Sequence, residues 1–188
     1  MKAAVSLHTF SKGKKLAFTA AFAALCLIST LFLTIPLPAS GYFNIGDVFV
    51  LLSGWCLGPL YGSIAAAVGS SLADILAGYG VYAPATFLIK GCDALIAYYA
   101  WLFLKKFIKK ERLDFLVRTI SAILGEAIMV FGYFLFDGLI SGNFAAAVPN
   151  LLGNATQGLC CLVCAVLIVA VLYPVKRTKN FFPFLGNK

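Results

Sequence analysis

The residues of this chain that could do chemistry are ionisable side chains embedded in long apolar segments. They are Asp47, Asp74, Lys90, Asp93, Glu126 and Asp137. An ionisable group inside a membrane span costs at least a few kcal/mol, so each is by default a functional candidate that faces protein or a water-filled cavity. Binding of a small polar solute is therefore the first chemistry to consider.

Helical spacing gathers polar residues into stripes on three segments. The stripes are Asn150, Asn154 and Gln157; Glu126 and Tyr133; and Thr86, Lys90 and Asp93. Residues spaced by four and seven positions share one face of an α-helix. If the three helices pack together, the stripes converge at overlapping depths and predict a cavity with hydrogen-bonding groups for a small ligand. The other half of these segments lacks a matching set, so a continuous hydrophilic pore is not expected.

Each candidate also has a purely structural interpretation. Lys90 could form a structural pair with Asp93 or Asp74, and Glu126 could make a helix-to-helix hydrogen bond. Asp137 is expected to be an interfacial acid. Four aromatic residues near the expected outer loops could stack on a flat heterocycle or form an interfacial belt: Tyr42, Phe43, Tyr79 and Tyr82.

The elements that must position these residues are transmembrane helices. The chain has 188 residues, of which 62% are hydrophobic and 12% charged, too little polar surface to cover a water-soluble globule. One span needs roughly 20 apolar residues, so a single transmembrane domain over 1–188 holds about six helices. No room is left for a separate catalytic or nucleotide-binding domain.

The apolar segments predict six spans in an all-α membrane protein. Their predicted bounds are 16–35, 46–58, 59–78, 83–104, 115–137 and 148–173. A turn is required at Gly58-Pro59, because a single helix over residues 46–78 would place the basic segment 105–112 opposite Lys14 and Lys15. Connections are expected at residues 78–82 and 138–147, on the outer side.

The basic residues predict the orientation in the membrane. Of the 15 Lys and Arg residues, all except Lys90 lie before Leu16, between Lys105 and Arg118, or after Tyr173. The positive-inside tendency then puts both termini and these segments in the cytoplasm. Because the charges flank apolar segments, they indicate membrane orientation and lipid contact, and nucleic-acid binding is not expected.

The sequence offers little support for catalysis, a metal site or a cofactor. The only histidine is His8, ahead of the first span, so neither a Ser/His pair nor a histidine metal site is expected in the membrane. All six cysteines lie within apolar segments and are expected to pack as small hydrophobic residues. A Walker A motif is also absent.

Small residues mark two helix faces. Gly62, Ala66, Gly69 and Ala73 share one face and are best interpreted as internal packing. The first helix carries Ala17, Ala20, Ala21 and Ala24 on one face, for which internal packing and a partner surface are equally open.

Several motifs together resemble the S components of energy-coupling factor (ECF) vitamin transporters, in the branch of riboflavin, hydroxymethylpyrimidine and pyridoxine carriers. The motifs are Asn44-Ile-Gly-Asp47, Gly54, Gly58-Pro59-x-Tyr61-Gly62, Ala73-Asp74, Tyr82-Ala-Pro-Ala-Thr-Phe87 and Lys90-Gly91. The resemblance extends from about Lys14 to Lys176. It implies a six-helix subunit in a bacterial cell membrane that captures a vitamin from outside and passes it to one energising transmembrane subunit and two ATPases.

The resemblance also implies residue roles. The expected substrate-binding residues are Asn44, Asp47, Asp74, Tyr82, Lys90, Glu126, Tyr133, Asn150, Asn154 and Gln157. The alanines Ala17, Ala20, Ala21 and Ala24 are expected to dock onto the energising subunit. One cation among carboxylates, amides and tyrosines suits a neutral or weakly basic hydroxylated heterocycle, pyridoxine-like or pyrimidine-like, with a larger flavin still open. The alternative is a self-sufficient secondary transporter that uses Asp74, Asp93 and Glu126 as proton sites.

Overall fold

A computed structural model describes residues 11–36, 42–108 and 110–172. Within these ranges the chain forms six α-helices: α1 Lys12–Phe32, α2 Asp47–Leu57, α3 Pro59–Leu76, α4 Ala83–Phe107, α5 Asp114–Ser141 and α6 Phe144–Leu172. A 3₁₀ turn, Glu111–Leu113, precedes α5. Two short antiparallel strands, β1 Ile35–Pro36 and β2 Tyr42–Phe43, lie between α1 and α2.

The six helices form an up-and-down bundle around α2. Successive helices pack side by side from α3 to α6, α1 packs on α3, and α2 contacts α1, α3, α4 and α6. We call the end at which α2, α4 and α6 begin the site end, and the opposite end, at which α4 finishes among lysines, the basic end. Five helices are long and apolar enough to cross a membrane, and α2 is shorter.

Helix α2 is the buried centre of the fold. Every one of its residues except Phe49 is buried, and Leu51 and Trp55 have no exposed surface. A helix that is apolar on all sides belongs in a protein core or in a membrane, and the burial of α2 places it in the core. With 11 residues and about 1.5 Å of rise per residue it is only about 16 Å long, so it starts and ends at different depths from its neighbours.

The predicted turn between the second and third helices is present. Gly58 has φ 82°, a left-handed conformation that glycine adopts without a Cβ penalty. Pro59 then begins α3, where its missing N–H is not needed. The chain therefore reverses within one residue and brings α3 back along α2.

The small residues of α3 allow close helix packing, as predicted. A Cβ added to Gly62 would lie 2.8 Å from the Cα of Gly54 on α2. A Cβ added to Gly69 would overlap the carbonyl oxygen of Ala23 on α1 and lie 2.7 Å from the Cβ of Cys26. Close approach of this kind is how helices pack tightly in lipid.

Two predicted boundaries are wrong. The connection expected at 138–147 is largely helical, because α5 continues to Ser141 and α6 begins at Phe144. Gly142, with φ 62°, ends α5, and Gly138 leaves space for the Phe144 ring. The first helix ends at Phe32 rather than residue 35, because Ile35–Pro36 is extended and pairs with Tyr42–Phe43.

Candidate functional site

An ion pair between Lys90 and Asp47 lies at the centre of the site end. Lys90 Nζ bonds Asp47 Oδ1, and the two residues are 3% and 0% exposed. Gln157 Nε2 donates to the other carboxylate oxygen, Asp47 Oδ2, at 2.6 Å. Asp47 is also the first residue of α2, where the helix dipole favours a negative charge. This pair joins α2, α4 and α6 and corrects the suggested structural pairing of Lys90 with Asp93 or Asp74.

The segment before α2 is fixed to α6 by the same amide. Gln157 Oε1 accepts a hydrogen bond of 2.8 Å from the backbone N–H of Asn44. The Asn44 side chain in turn accepts from the backbone N–H of Gly46 at 2.8 Å, an Asx turn. A Cβ on Gly46 would overlap the hydroxyl of Thr30 on α1. The entry to α2 is therefore held in one conformation by α1 and α6.

A second group of contacts joins β2, α3 and the start of α4. Tyr42 donates its hydroxyl to Asp74 Oδ1 at 2.6 Å. Burial, and then the nearby Asp74 carboxylate, raise the pKa of Tyr42 well above its usual value, so the hydroxyl keeps its proton. The Tyr42 and Tyr79 rings lie 4.7 Å apart, and Tyr79 lies 6.4 Å from Tyr82. Three of the four predicted loop aromatics therefore form one cluster.

Asp137 joins this cluster to α6. Its two oxygens accept hydrogen bonds from Tyr82 Oη at 2.6 Å and from Asn150 Nδ2 at 2.9 Å. The residue is 6% exposed, so its interpretation as an interfacial acid is wrong. The signal in the sequence was its spacing, since Asp137 lies four residues after Tyr133, on the face of α5 that carries Glu126.

Tyr133 connects the cluster to the ion pair. Its hydroxyl shares a 2.9 Å hydrogen bond with Thr86 on α4. The Lys90 ammonium lies 5.4 Å from the centre of the Tyr133 ring, within the range of a cation–π interaction. The contacts of Tyr133 with Thr86 and with Lys90 thus hold α4 against α5.

Two carboxylates deeper in the bundle differ from the residues above in their lack of hydrogen-bond partners. Asp93 and Glu126 are 0% and 4% exposed, and neither accepts a hydrogen bond from any residue that the structure describes. Neighbouring glycines make room for them, since a Cβ on Gly125 would lie 2.5 Å from Asp93 Oδ1 and one on Gly158 2.9 Å from Glu126 Oε2. Buried carboxylates without donors are costly, so each unsatisfied group of this kind in a folded protein requires an explanation.

The structure brings the sequence-predicted residues together. We use "polar cluster" for Asn44, Asp47, Asp74, Tyr82, Thr86, Lys90, Asp93, Glu126, Tyr133, Asp137, Asn150, Asn154 and Gln157 together with Tyr42. All are buried except Tyr82 and Tyr133, which are partly buried. Five of the chain's seven acidic residues are in this cluster, with one lysine. Asn154 shares the α6 face of Asn150 and Gln157 and is 6% exposed.

The predicted docking alanines, unlike the polar cluster, lie on the exposed surface of the bundle. Ala17, Ala20, Ala21 and Ala24 are all exposed along α1, while Cys26 on its other side is fully buried. Among the described residues, these alanines are therefore not packed inside the bundle. Leu16, Ile28 and Phe32 extend the same exposed apolar surface.

An apolar helical bundle with a buried, closely bonded polar cluster at one end defines a multi-pass membrane protein. Comparison with known families identifies it further. Residues 11–174 match the family described as "ECF-type riboflavin transporter, S component", and the chain belongs to this family. This is the family that the sequence motifs indicated.

Two individual proteins are similar to this chain. A protein of Pyrococcus woesei, described as "Uncharacterized protein in gap 3′ region", is 38% identical over 107 residues, which is 56% of this chain and 66% of that protein. This chain thus covers slightly less than two thirds of that relative. A structure titled "Structure and mechanism of the S component of a bacterial ECF transporter" is 21% identical, with a TM-score of 0.64, covering 87% of this chain and 98% of the other. At this identity the likeness concerns the fold.

Proposed function

We propose that this protein is the substrate-capturing subunit of an ATP-driven ECF importer and that the polar cluster binds riboflavin or a related hydroxylated heterocycle. The observation that carries the proposal is the pair of buried carboxylates, Asp93 and Glu126, to which none of the described residues donates a hydrogen bond. Hydroxyl groups on a ligand would supply those donors. The name of the matched family makes riboflavin the first ligand to test.

The charge of the polar cluster supports an uncharged ligand. Five carboxylates surround one lysine, and that lysine is already paired with Asp47. Charges interact strongly in a low-dielectric interior, so an anionic ligand would be repelled. Riboflavin is therefore expected to bind much more tightly than riboflavin 5′-phosphate, which carries the same ring system with an added phosphate.

The aromatic residues support a flat ligand. Tyr82 lies 6.5 Å from Tyr133 and 5.3 Å from Phe136, ring centre to ring centre, at the site end. Tyrosine rings offer large apolar faces together with hydroxyl groups. A heterocycle that enters from this end would meet aromatic faces first and carboxylates and amides below them.

The orientation follows from the basic residues. Among the described residues, the Lys and Arg residues other than Lys90 lie in the first turn of α1 or from the last turn of α4 to the start of α5, among them Lys14, Lys15, Lys105 and Lys106, at the basic end. The positive-inside tendency puts that end in the cytoplasm, so the polar cluster opens to the exterior of a bacterial cell. In this arrangement all six helices belong to the membrane domain and both termini are cytoplasmic.

The energy for release must come from partners. The proposed partners are one energising transmembrane subunit and two ATPases, with the exposed alanines of α1 as the docking surface. Alanine side chains allow a partner helix to approach closely in lipid. Bulky side chains at these α1 positions would prevent that approach.

The direct test is ligand binding to the purified protein. Riboflavin, riboflavin 5′-phosphate, pyridoxine and hydroxymethylpyrimidine are titrated in detergent, with calorimetry for all four and flavin fluorescence for the first two. We expect saturable binding of riboflavin at a 1:1 ratio and little binding of its phosphate. Failure of all four compounds to bind would contradict the proposal.

Two variants test the site itself. Glu126→Gln replaces one oxygen of a buried carboxylate by an amide NH2 group, and Asn154→Ala removes a buried side-chain amide. Loss of a hydrogen bond to a charged group costs about 1.5–3 kcal/mol, which is roughly a 10- to 150-fold increase in Kd for Glu126→Gln. The matched control is Thr156→Ala, because Thr156 is exposed on α6 and bonds only its own helix, at Leu152 O. Unchanged affinity in both polar-cluster variants would contradict the site assignment.

A further inference from the structure

The basic end contains a second charged cavity, separate from the polar cluster. It has a volume of about 180 Å³ and is lined by Arg112, Asp114, Phe115 and Arg118 together with residues of α6, among them Val169 and Ala170. It lies between the start of α5 and the last turns of α6. The proposed transport function uses none of these residues.

Arg118 is held in place at the wall of this cavity. It is 1% exposed, and its guanidinium carbon lies 5.3 Å from the Trp55 ring centre and 4.9 Å from that of Trp101. Its Nε donates to Asp114 Oδ2 at 2.7 Å. Arginine is well suited to such aromatic stacking. Sequence alone does not indicate this stacking, because Arg118 belongs to a basic segment whose charges are all expected near the cytoplasm.

The charge around the cavity is positive on balance. The Asp114 carboxylate is shared by Arg118 and by Lys105, whose Nζ lies 3.0 Å from Oδ1. Over residues 105–118 the sequence has four Lys and two Arg against one Glu and one Asp. An excess of charge at a partly desolvated site is stabilised by a counter-ion. The cavity therefore favours an anion.

The remaining walls of the cavity are apolar. Phe115 is 57% exposed, and Ala170 is exposed on the neighbouring helix. A free inorganic anion would gain nothing from such walls. A molecule with a phosphate at one end and a hydrocarbon chain at the other would contact both kinds of surface.

We propose that this cavity binds the headgroup phosphate of an anionic phospholipid. Arg112 and Arg118 contact the phosphate, and the first methylenes of an acyl chain lie along Phe115 and Ala170. With the proposed orientation the lipid belongs to the cytoplasmic leaflet, where anionic lipids meet basic segments of membrane proteins. Only this choice of leaflet depends on the proposed function.

The test compares lipids added to the delipidated, purified full-length protein. Thermal midpoints and native mass spectra are recorded with phosphatidylglycerol, with phosphatidylcholine and with inorganic phosphate. We expect phosphatidylglycerol to raise the midpoint and to remain bound in the mass spectrum, whereas the other two do neither. Equal effects of phosphatidylcholine would overturn the proposal, as would equal effects of inorganic phosphate.

A matched pair of variants locates the effect. Arg112→Gln removes an exposed charge that lines the cavity, and Lys110→Gln removes an exposed charge two residues away that does not. Arg112→Gln should weaken phosphatidylglycerol binding about tenfold, the usual effect of losing one charged hydrogen bond, and Lys110→Gln should not. Equal losses in both variants would mean diffuse attraction to a basic surface and would overturn the proposal. Riboflavin binding should be unchanged in either variant, which separates this result from the proposed function.

Discussion

At the scale of single residues, the Lys90–Asp47 pair decides how the polar cluster is built. Both side chains are buried, and Gln157 is bonded to Asp47 and to the backbone of Asn44. The positions of α2, α4, α6 and the segment before α2 thus depend on the Asp47 carboxylate. A buried ion pair contributes little compared with apolar residues of the same size, but removing one partner is costly because a charge is left unpaired.

The difference between replacing the whole ion pair and removing one partner predicts the behaviour of three variants. Lys90→Met should lower stability by about 3–5 kcal/mol, because the buried Asp47 carboxylate then keeps only the Gln157 amide as a side-chain donor among the described residues. The double variant Lys90→Met/Asp47→Leu should recover most of that loss. Thermal unfolding in detergent, followed by tryptophan fluorescence, measures both effects. Asp47→Leu alone provides the reciprocal single variant and should also be destabilised.

A result in which the double variant is no more stable than Lys90→Met would contradict the assigned pairing. If the pair also orders the ligand site, the double variant should regain stability without regaining riboflavin affinity. That combination separates a folding role from a binding role.

Helical spacing in the sequence was enough to predict the stripes of α4, α5 and α6, but not their partners. The spacing of residues indicates which side of a helix each one occupies. It does not indicate that Asp47 lies within hydrogen-bonding distance of Lys90, 43 positions away, because that distance depends on how α2 packs. For the same reason Asp137 was set aside as an interfacial acid and Arg118 was not singled out.

At the scale of elements, α3 shows how small residues set the distance between helices. Gly69 approaches α1 so closely that a methyl group has no space beside Ala23 and Cys26. Gly91 on α4 is different, because its added Cβ would lie 3.4 Å from the Cβ of Ala67, an ordinary contact. The two glycines share a helical backbone but not the same surroundings.

The same substitution at both positions tests this packing. Gly69→Ala should destabilise the protein by about 1–3 kcal/mol, the usual cost of overpacking. Gly91→Ala should be neutral or stabilising by up to about 1 kcal/mol, because alanine favours a helix more than glycine does. The thermal midpoints of the two variants provide the measurement. Equal midpoints would show that α1 and α3 do not approach as closely as described.

The sequence predicted the elements better than their ends. Gly58-Pro59 had to be a turn because of the charge distribution, and the positive φ of Gly58 makes that turn possible. The connection expected at 138–147 starts too early, because α5 continues to Ser141, three residues past Gly138. In the structure its missing side chain makes room for Phe144, a tertiary contact that local sequence does not reveal.

At the scale of the whole molecule, polar chemistry and positive charge are separated along the bundle. The polar cluster lies at the site end, and Lys105, Asp114 and Arg118 form their network at the basic end. Helix α2 connects the two, since Asp47 begins it and Trp55, near its other end, packs on Arg118. The exposed alanines of α1 lie outside both regions, so binding of the ligand and docking of a partner can be tested separately.

The last prediction concerns that alanine surface. Ala20→Trp and Ala24→Trp should each greatly reduce co-purification with a co-expressed energising subunit and its two ATPases, because an indole ring keeps the partner helix from close approach. Riboflavin affinity should remain unchanged, since neither residue is part of the polar cluster. The control is Ala127→Trp, which adds the same bulk at an exposed alanine of α5. If Ala20→Trp and Ala24→Trp co-purify as well as the control, the exposed alanines contact lipid and the energising subunit docks elsewhere.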